Sequence, residues 1–206
     1  MPQAARVSDQ TAHGCPLSPG PGSKDVTIGF LPAWRAVPAA IGAGIQSAKA
    51  SSDATLKVAE SATLTAAAAV PPVALPAAET AETAARAAAS AAMGAMIQAA
   101  AQGCGADIHN CMTPYVPIPP TPTPPSAMHG PGVVIDGCAT VLINNLPAAF
   151  VGNTIIEALG PPDKIVMGCP TVMICTPPQG SALQSAAAAS APFCEICAEA
   201  AAAKNA

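Results

Sequence analysis

Charged and aromatic residues are scarce in this chain of 206 residues. Asp, Glu, Lys and Arg together make up 10% of the sequence, and Phe, Trp and Tyr only 2%. Binding to nucleic acid requires Lys and Arg clustered against the phosphate backbone. The formal net charge is -4 and no basic stripe is present, so we expect no nucleic-acid partner.

Large apolar side chains are few as well. Hydrophobic residues make up 51% of the chain, but much of that share is alanine, and there are one Trp, one Tyr and three Phe. Alanine buries little area, so the core per residue is thin. A small β unit of this composition needs an additional staple, such as a bound metal ion.

The first residues contain no apolar run, which predicts the absence of a secretory signal peptide. We therefore expect the protein to start in the reducing cytoplasm and to leave the cell, if it does, by a route without a leader. In that compartment eight cysteines are more often thiols or metal ligands than disulfides.

No catalytic arrangement is readable in the sequence. A Ser or Cys nucleophile needs a base, and the three histidines are better explained as metal ligands, as described below. Glu60, Glu79 and Glu82 lie in Ala-rich segments, where a solvated helix face is the ordinary explanation. No phosphate-binding glycine pattern occurs. We predict that the chain is not an enzyme.

Residues 39–103 are rich in alanine, the strongest helix former. Prolines at positions 71, 72 and 76 must interrupt a helix there. The segment therefore predicts a hairpin of two helices, at about 37–69 and 77–102. Its uncharged runs are too short or contain too many prolines to span a membrane, so a tightly packed soluble hairpin is expected.

Residues 179–206 form a second Ala-rich segment, a tail predicted to be helical after Pro192. Cys194 and Cys197 in this tail form a CxxC motif. A single CxxC with no second pair and no nearby histidine is a weak metal or redox signal. Two interpretations stay open: thiols that pack a tail helix, or a redox or metal-handling function.

Two stretches of the chain repeat one short sequence. Residues 137–143 read GCATVLI, and residues 168–174 read GCPTVMI. A weaker copy, beginning at Gly22, lies upstream. Repeated strand units indicate a repeated β architecture rather than an enzyme pocket, and three copies suggest internal pseudo-threefold symmetry. The strand positions expected to form the β core are Val26, Ile28, Val141, Ile143, Val172 and Ile174.

Turn residues separate the strands of these repeats. Val133–Ile135 precedes Asp136-Gly137, and Asn144-Asn145 follows the next strand. Both dipeptides suit turns with positive φ, which predicts a tight β-meander. The seven prolines between Pro114 and Pro125 predict an extended, polyproline-like connector.

A Pro-Ala-rich motif follows two of the repeat strands. Residues 147–150 read PAAF and residues 32–35 read PAWR. With the opening AARxxDxxxH at 4–13 and GPPDKIVMG at 160–168, the chain resembles the PAAR-repeat family, small cone-shaped proteins that tip the spikes of contractile injection systems. The resemblance covers roughly residues 1–38 and 107–176.

The resemblance implies a mainly β fold. We expect a small cone of short β-hairpin repeats with pseudo-threefold symmetry, formed discontinuously by residues 1–38 and 104–178. The helical hairpin at 39–103 would be an insertion, and the tail at 179–206 a C-terminal helix.

The resemblance also implies one structural zinc ion near the apex, bound by three histidines and one cysteine. Four N and S ligands make a closed tetrahedral site, favour zinc over calcium or magnesium, and add folding free energy. Cys15 is the alternative to the cysteine in this set. The implied ligands are His13, His109, Cys111 and His129.

The remaining cysteines give weaker signals. Cys138 and Cys169 occupy equivalent repeat positions, which predicts small buried thiols with a packing role. Cys104 and Cys175 carry no readable signal.

The resemblance implies a non-enzymatic, zinc-stabilised tip, itself monomeric, that caps the trimeric spike of a type VI secretion or phage-tail-like apparatus. Each repeat would meet one subunit of a valine-glycine repeat or phage-tail spike, by edge pairing of strands. The tip would be exported with the spike and contact the target membrane transiently. The alternative is an adaptor that carries effector cargo on the helical hairpin or the tail.

Overall fold

The computed structural model describes residues 1–175. The predicted Ala-rich tail at 179–206, with its helix after Pro192 and its CxxC pair Cys194 and Cys197, lies outside the described residues.

Two helices of 30 residues each form a hairpin, α1 (Ala39–Ala68) and α2 (Leu75–Cys104). The bounds agree within about two residues with the predicted helices. Pro76 does not interrupt α2 as expected; it lies in its first turn, where a backbone N–H has no partner within the helix. The helix ends at Gly105, whose φ of 80° lies in the left-handed region that favours glycine.

Eleven short strands are found among residues 1–175. In chain order they are β1 (Gln3–Ala4), β2 (Pro19–Gly20), β3 (Thr27–Ile28), β4 (Leu31–Pro32), β5 (Ile108–Pro114), β6 (Met128–Val134), β7 (Cys138–Ile143), β8 (Leu146–Ala148), β9 (Thr154–Glu157), β10 (Asp163–Lys164) and β11 (Cys169–Met173). One antiparallel sheet has the order β10-β9-β6-β5-β2, and three two-stranded sheets pair β1 with β11, β3 with β4 and β7 with β8.

The fold is therefore mixed: the predicted hairpin of two helices is present together with several small antiparallel sheets. The helices are part of the core, because they share an apolar cluster with the large sheet instead of standing apart from it. Buried members of this cluster include Ile45 on α1, Ile97 on α2, Val133 on β6 and Ile156 on β9.

The predicted meander is correct at one turn and wrong in its strand pairing. Asn144 and Asn145 have φ of 51° and 64° and connect β7 to β8. Val133 on β6, however, pairs with β9, and residues 128–132 of the same strand pair with β5. Long-range pairing therefore takes this strand away from β7.

Three segments with related sequences hydrogen-bond to one another in a closed ring: residues 4–6, 33–35 and 148–150. The N–H of Ala5 donates to the carbonyl of Ala149 over 2.9 Å. Ala149 donates to Trp34 over 2.9 Å, and Trp34 donates back to Ala5 over 3.0 Å. Each segment is thus both donor and acceptor to its neighbours.

A second set of three hydrogen bonds runs beside this ring. Each donor lies two residues after a ring residue, and each acceptor lies two residues before one. The bonds run from Val7 to Pro32 (2.9 Å), from Ala36 to Pro147 (2.8 Å) and from Val151 to Gln3 (2.9 Å). The N-terminal strand β1 completes the third repeat by pairing with β11, as β4 does for β3 and β8 for β7.

The predicted β-core positions meet in one apolar cluster, with one exception. Val26 is 37% exposed; it lies in a turn that precedes β3, where its N–H donates to the side-chain oxygen of Ser23. Cys138 and Cys169 are buried there, as predicted. The other predicted positions in the cluster are Ile28, Val141, Ile143, Val172 and Ile174.

The Pro-rich connector between β5 and β6 lies against the helical hairpin and contains no regular structure. Buried Glu82 on α2 forms an ion pair with Arg86 and accepts hydrogen bonds from Thr121 and Thr123, each over 2.7 Å. Tyr115, just after β5, donates to Glu60 on α1 over 2.8 Å. Polar contacts therefore hold connector and hairpin together.

Candidate metal centre

Three histidines converge on one buried carboxylate in the five-stranded sheet. His109 lies on β5, His129 on β6, and Glu157 is the last residue of β9. His13 comes from the loop between β1 and β2. His13 and Glu157 are far apart in the sequence, and only the fold brings them together.

The strand register explains why His109 and Glu157 meet. His109 pairs with Gly132 on one side, and Gly132 pairs with Glu157 on the other, so the three residues form one row across the sheet. A Cβ at Gly132 would lie 3.0 Å from Cγ of Glu157. Because glycine has no side chain, the two flanking side chains reach each other above it.

The carboxylate of Glu157 contacts all three rings. Its Oε2 lies 2.8 Å from Nδ1 of His13 and 2.7 Å from Nδ1 of His129. Its Oε1 lies 3.3 Å from Nε2 of His109. Glu157 and His109 are fully buried, so these charges and dipoles act on one another with little screening by water.

Glu157 is held in its ionised form. Burial alone raises the pKa of this carboxyl group, but the contacts with His109, His129 and His13 outweigh burial and hold the pKa at about 2. The site therefore carries a buried negative charge at neutral pH.

The tautomer of His109 is fixed by its other neighbour. Nδ1 lies 3.0 Å from the carbonyl oxygen of Pro16; a carbonyl only accepts, so Nδ1 carries the hydrogen. In the neutral ring Nε2 is then a lone pair that faces Oε1 of Glu157. Neither atom has a hydrogen-bond partner within residues 1–175. A positive charge between these two buried acceptors, either a proton on Nε2 or a metal cation, would satisfy both.

Two overlapping groups of donor atoms are near enough to hold a metal ion. His13, Cys111, His129 and Glu157 form the first group, whose ligand atoms lie within 4.8 Å of one another. The second consists of His109, Glu157 and Asp163. Asp163 Oδ2 is buried and lacks a partner in the described part of the chain.

The two cysteines near the site differ in their surroundings. Cys111 is buried on β5, and its Sγ donates to Sγ of Cys15 over 3.2 Å. Burial, with a contribution from the negative charge of Glu157, raises the pKa of Cys111 to about 12. Cys15 belongs to neither group of ligand atoms.

A glycine shapes the outer wall of the site. Gly160 has φ of 86°, and a Cβ there would lie 2.6 Å from Cε1 of His129. Only a residue without a side chain leaves the His129 ring in its place.

The fold brings together the histidines and the cysteine predicted from the sequence, around a central residue that was not predicted. His13, Cys111 and His129 lie in one group, and His109 reaches the same carboxylate. Glu157 was not predicted. The available signal was a single carboxylate in an otherwise apolar run, TIIEAL, since an ionisable side chain is rarely buried without a partner.

No family model, curated protein or solved structure matches this chain. Within residues 1–175, neither α1 nor α2 combines the length and the apolar character needed to cross a membrane.

Proposed function

We propose that this centre binds one structural zinc ion. The observation that carries the proposal is the lone pair of His109 Nε2 facing Oε1 of Glu157 at 3.3 Å, with no partner for either atom in the described residues. Ligand atoms at ~2.0–2.2 Å from zinc in tetrahedral geometry lie roughly 3.3–3.5 Å apart. The proposed ligands are His13 and His129 from the first group, His109 from the second, and Glu157, which both groups share.

The donor set supports zinc and a structural role. Imidazole nitrogens favour zinc over calcium or magnesium, and four protein ligands leave no open position for water or substrate. Glu157 is favoured over Cys111 as the fourth ligand because its carboxylate contacts all three rings, whereas Cys111 donates to Cys15. Bound zinc would supply a positive charge that joins the His13 loop to β5, β6 and β9.

We infer further that the protein is a non-enzymatic spike tip of the PAAR type. The closed ring of hydrogen bonds among residues 4–6, 33–35 and 148–150 supports a pseudo-threefold arrangement, because equivalent positions in the three segments make equivalent bonds. A single chain with three such units is suited to cap a trimeric β-helical spike, one unit per spike subunit.

Exposed apolar side chains on the repeats support such a partner. Phe30 is 98% exposed, Leu142 60% and Met173 45%, and each belongs to a different one of the three repeats. Large exposed apolar groups in a chain with so few of them indicate a covered surface in the assembly.

Metal content of the purified protein, measured by mass spectrometry, tests the centre first. We expect about one zinc per chain, lost in His109→Ala and in the isosteric Glu157→Gln, and retained in the matched control Cys111→Ser. A protein purified without chelators that contains no zinc would contradict the proposal. If Cys111→Ser alone lost zinc, Cys111 and not Glu157 would be the fourth ligand.

Complex formation with a trimeric spike protein tests the tip. We expect one chain per spike trimer in size-exclusion chromatography with light scattering, and loss of the complex in Phe30→Ser combined with Leu142→Ser. An unchanged complex in that variant would contradict the proposed surface.

The adaptor function is the second candidate, and exposed valines near the turn of the helical hairpin favour it. Val70 is 97% exposed and Val73 83%. Deleting residues 39–103 would not test it, because the hairpin shares the core. Replacing both valines by Ser, with spike binding as the control, separates loss of cargo from loss of assembly.

A further inference from the structure

The thiols of Cys15 and Cys111 face each other beside the metal centre. Their sulfur atoms are 3.2 Å apart, although 96 positions separate them in the sequence. Cys111 is buried and Cys15 is partly exposed. We propose that this pair is a redox dithiol, reduced where the protein is made and closed to a disulfide when the protein reaches an oxidising compartment.

The backbone already holds the two residues side by side. On one flank Asn110 N–H donates to the carbonyl of Ser18 over 2.7 Å, and β2 pairs with β5. On the other flank Thr113 Oγ1 donates to the carbonyl of His13 over 3.1 Å. The pair lies between two fixed points, so closing the gap to a bond of ~2.05 Å requires a shift of about 1 Å.

The oxidant is a small-molecule disulfide such as oxidised glutathione. Cys15, the more exposed thiol, attacks it as the thiolate; a mixed disulfide forms and one small thiolate leaves. Cys111 then attacks Sγ of Cys15 and gives up its proton, and the second small thiolate leaves and takes up a proton. Two protein thiols have become one disulfide, and the oxidant has been reduced to two thiols by the same two electrons.

The disulfide would fasten the loop that carries His13 to strand β5. Neither sulfur is among the four proposed zinc ligands, so oxidation should leave zinc in place. This last expectation rests on the proposed zinc centre, whereas formation of the disulfide itself does not.

Oxidation of the zinc-loaded full chain with excess oxidised glutathione tests the pair. We expect a Cys15–Cys111 cross-linked peptide in a non-reducing digest, and its loss in Cys15→Ser but not in the matched control Cys104→Ser. Two thiols at positions 15 and 111 that still react with iodoacetamide after treatment would overturn the dithiol.

Zinc measured on the same oxidised sample separates the two proposals. Retained zinc supports both. Release of zinc as the cross-link forms would overturn Glu157 as the fourth ligand in favour of Cys111, while the dithiol would stand.

Discussion

The helical hairpin and the metal centre use different chemistry for the same task. In the hairpin, a buried Glu82–Arg86 ion pair on α2 binds hydroxyl groups of the connector. In the sheet, a buried carboxylate gathers three histidines from distant segments. Both regions have few large apolar side chains, so buried charged groups hold the segments together, as a larger apolar core does in other proteins. The difference is that Glu82 is paired with a permanently charged Arg86, whereas Glu157 faces histidines, which carry a positive charge only when protonated.

Glu157→Ala should produce the largest loss of stability, because it removes the group that all three histidines share and the proposed metal with it. Structural zinc sites contribute on the order of 10 kcal/mol to folding, so we expect a chain that is unfolded or nearly so. Unfolding in urea, with and without a chelator, measures the effect. If the urea midpoint of the variant equalled that of the wild type and did not change with chelator, no metal would stabilise the fold.

Glu82→Ala tests the other half of the comparison. The substitution leaves Arg86 buried and unpaired, which lowers the free energy of unfolding by about 3–5 kcal/mol. Adding a chelator should not change this difference between the variant and the wild type. Glu79→Ala on the same helix is the matched control, since Glu79 is only partly buried. An equal midpoint for Glu82→Ala and Glu79→Ala would mean that the ion pair does not hold the connector.

The metal-free protein should lose stability in acid through Glu157. Its pKa lies at about 2 in the folded chain, below the ordinary value of 4.5. The stabilisation by ionised Glu157 is therefore complete above pH 4.5 and is lost as the pH falls towards 2. A pKa shift of this size corresponds to about 3 kcal/mol in the free energy of unfolding. Unfolding curves between pH 6 and 2 measure it, and Glu157→Gln should flatten this part of the profile. If the wild type and Glu157→Gln lost the same stability between pH 6 and 2, this role of Glu157 would be contradicted.

Gly160→Ala should have a smaller effect that is confined to the metal centre. The new Cβ would meet the His129 ring at 2.6 Å, so zinc should bind more weakly, with a stability loss of roughly 1–3 kcal/mol. Gly152→Ala is the matched control: its φ of 98° is equally unfavourable for alanine, but no atom lies within 4 Å of the added group. Competition with a chromophoric chelator compares the zinc affinities; equal affinities would place His129 outside the site.

Local features were predictable from the sequence, and long-range pairings were not. Alanine runs ended by prolines fixed both helices, and the Asn-Asn turn fixed the β7–β8 hairpin, because these depend on neighbouring residues. The histidines were singled out through the resemblance to the PAAR-repeat family, which implies a site of three histidines and one cysteine. Glu157 was missed because its row with Gly132 and His109 exists only once β5, β6 and β9 have paired. The place of the helices in the core was missed for the same reason.

The hydrogen-bonded ring sets a limit on when this protein can fold during its synthesis. Ala5 needs Ala149, and β1 needs β11, so β1 cannot be placed before β11 has left the ribosome. The helical hairpin lies between them in sequence, and the contacts of α1 with α2 can form earlier because they are local. The segment around β1 is therefore placed only after the helical hairpin and the strands β2 to β11 have been synthesised.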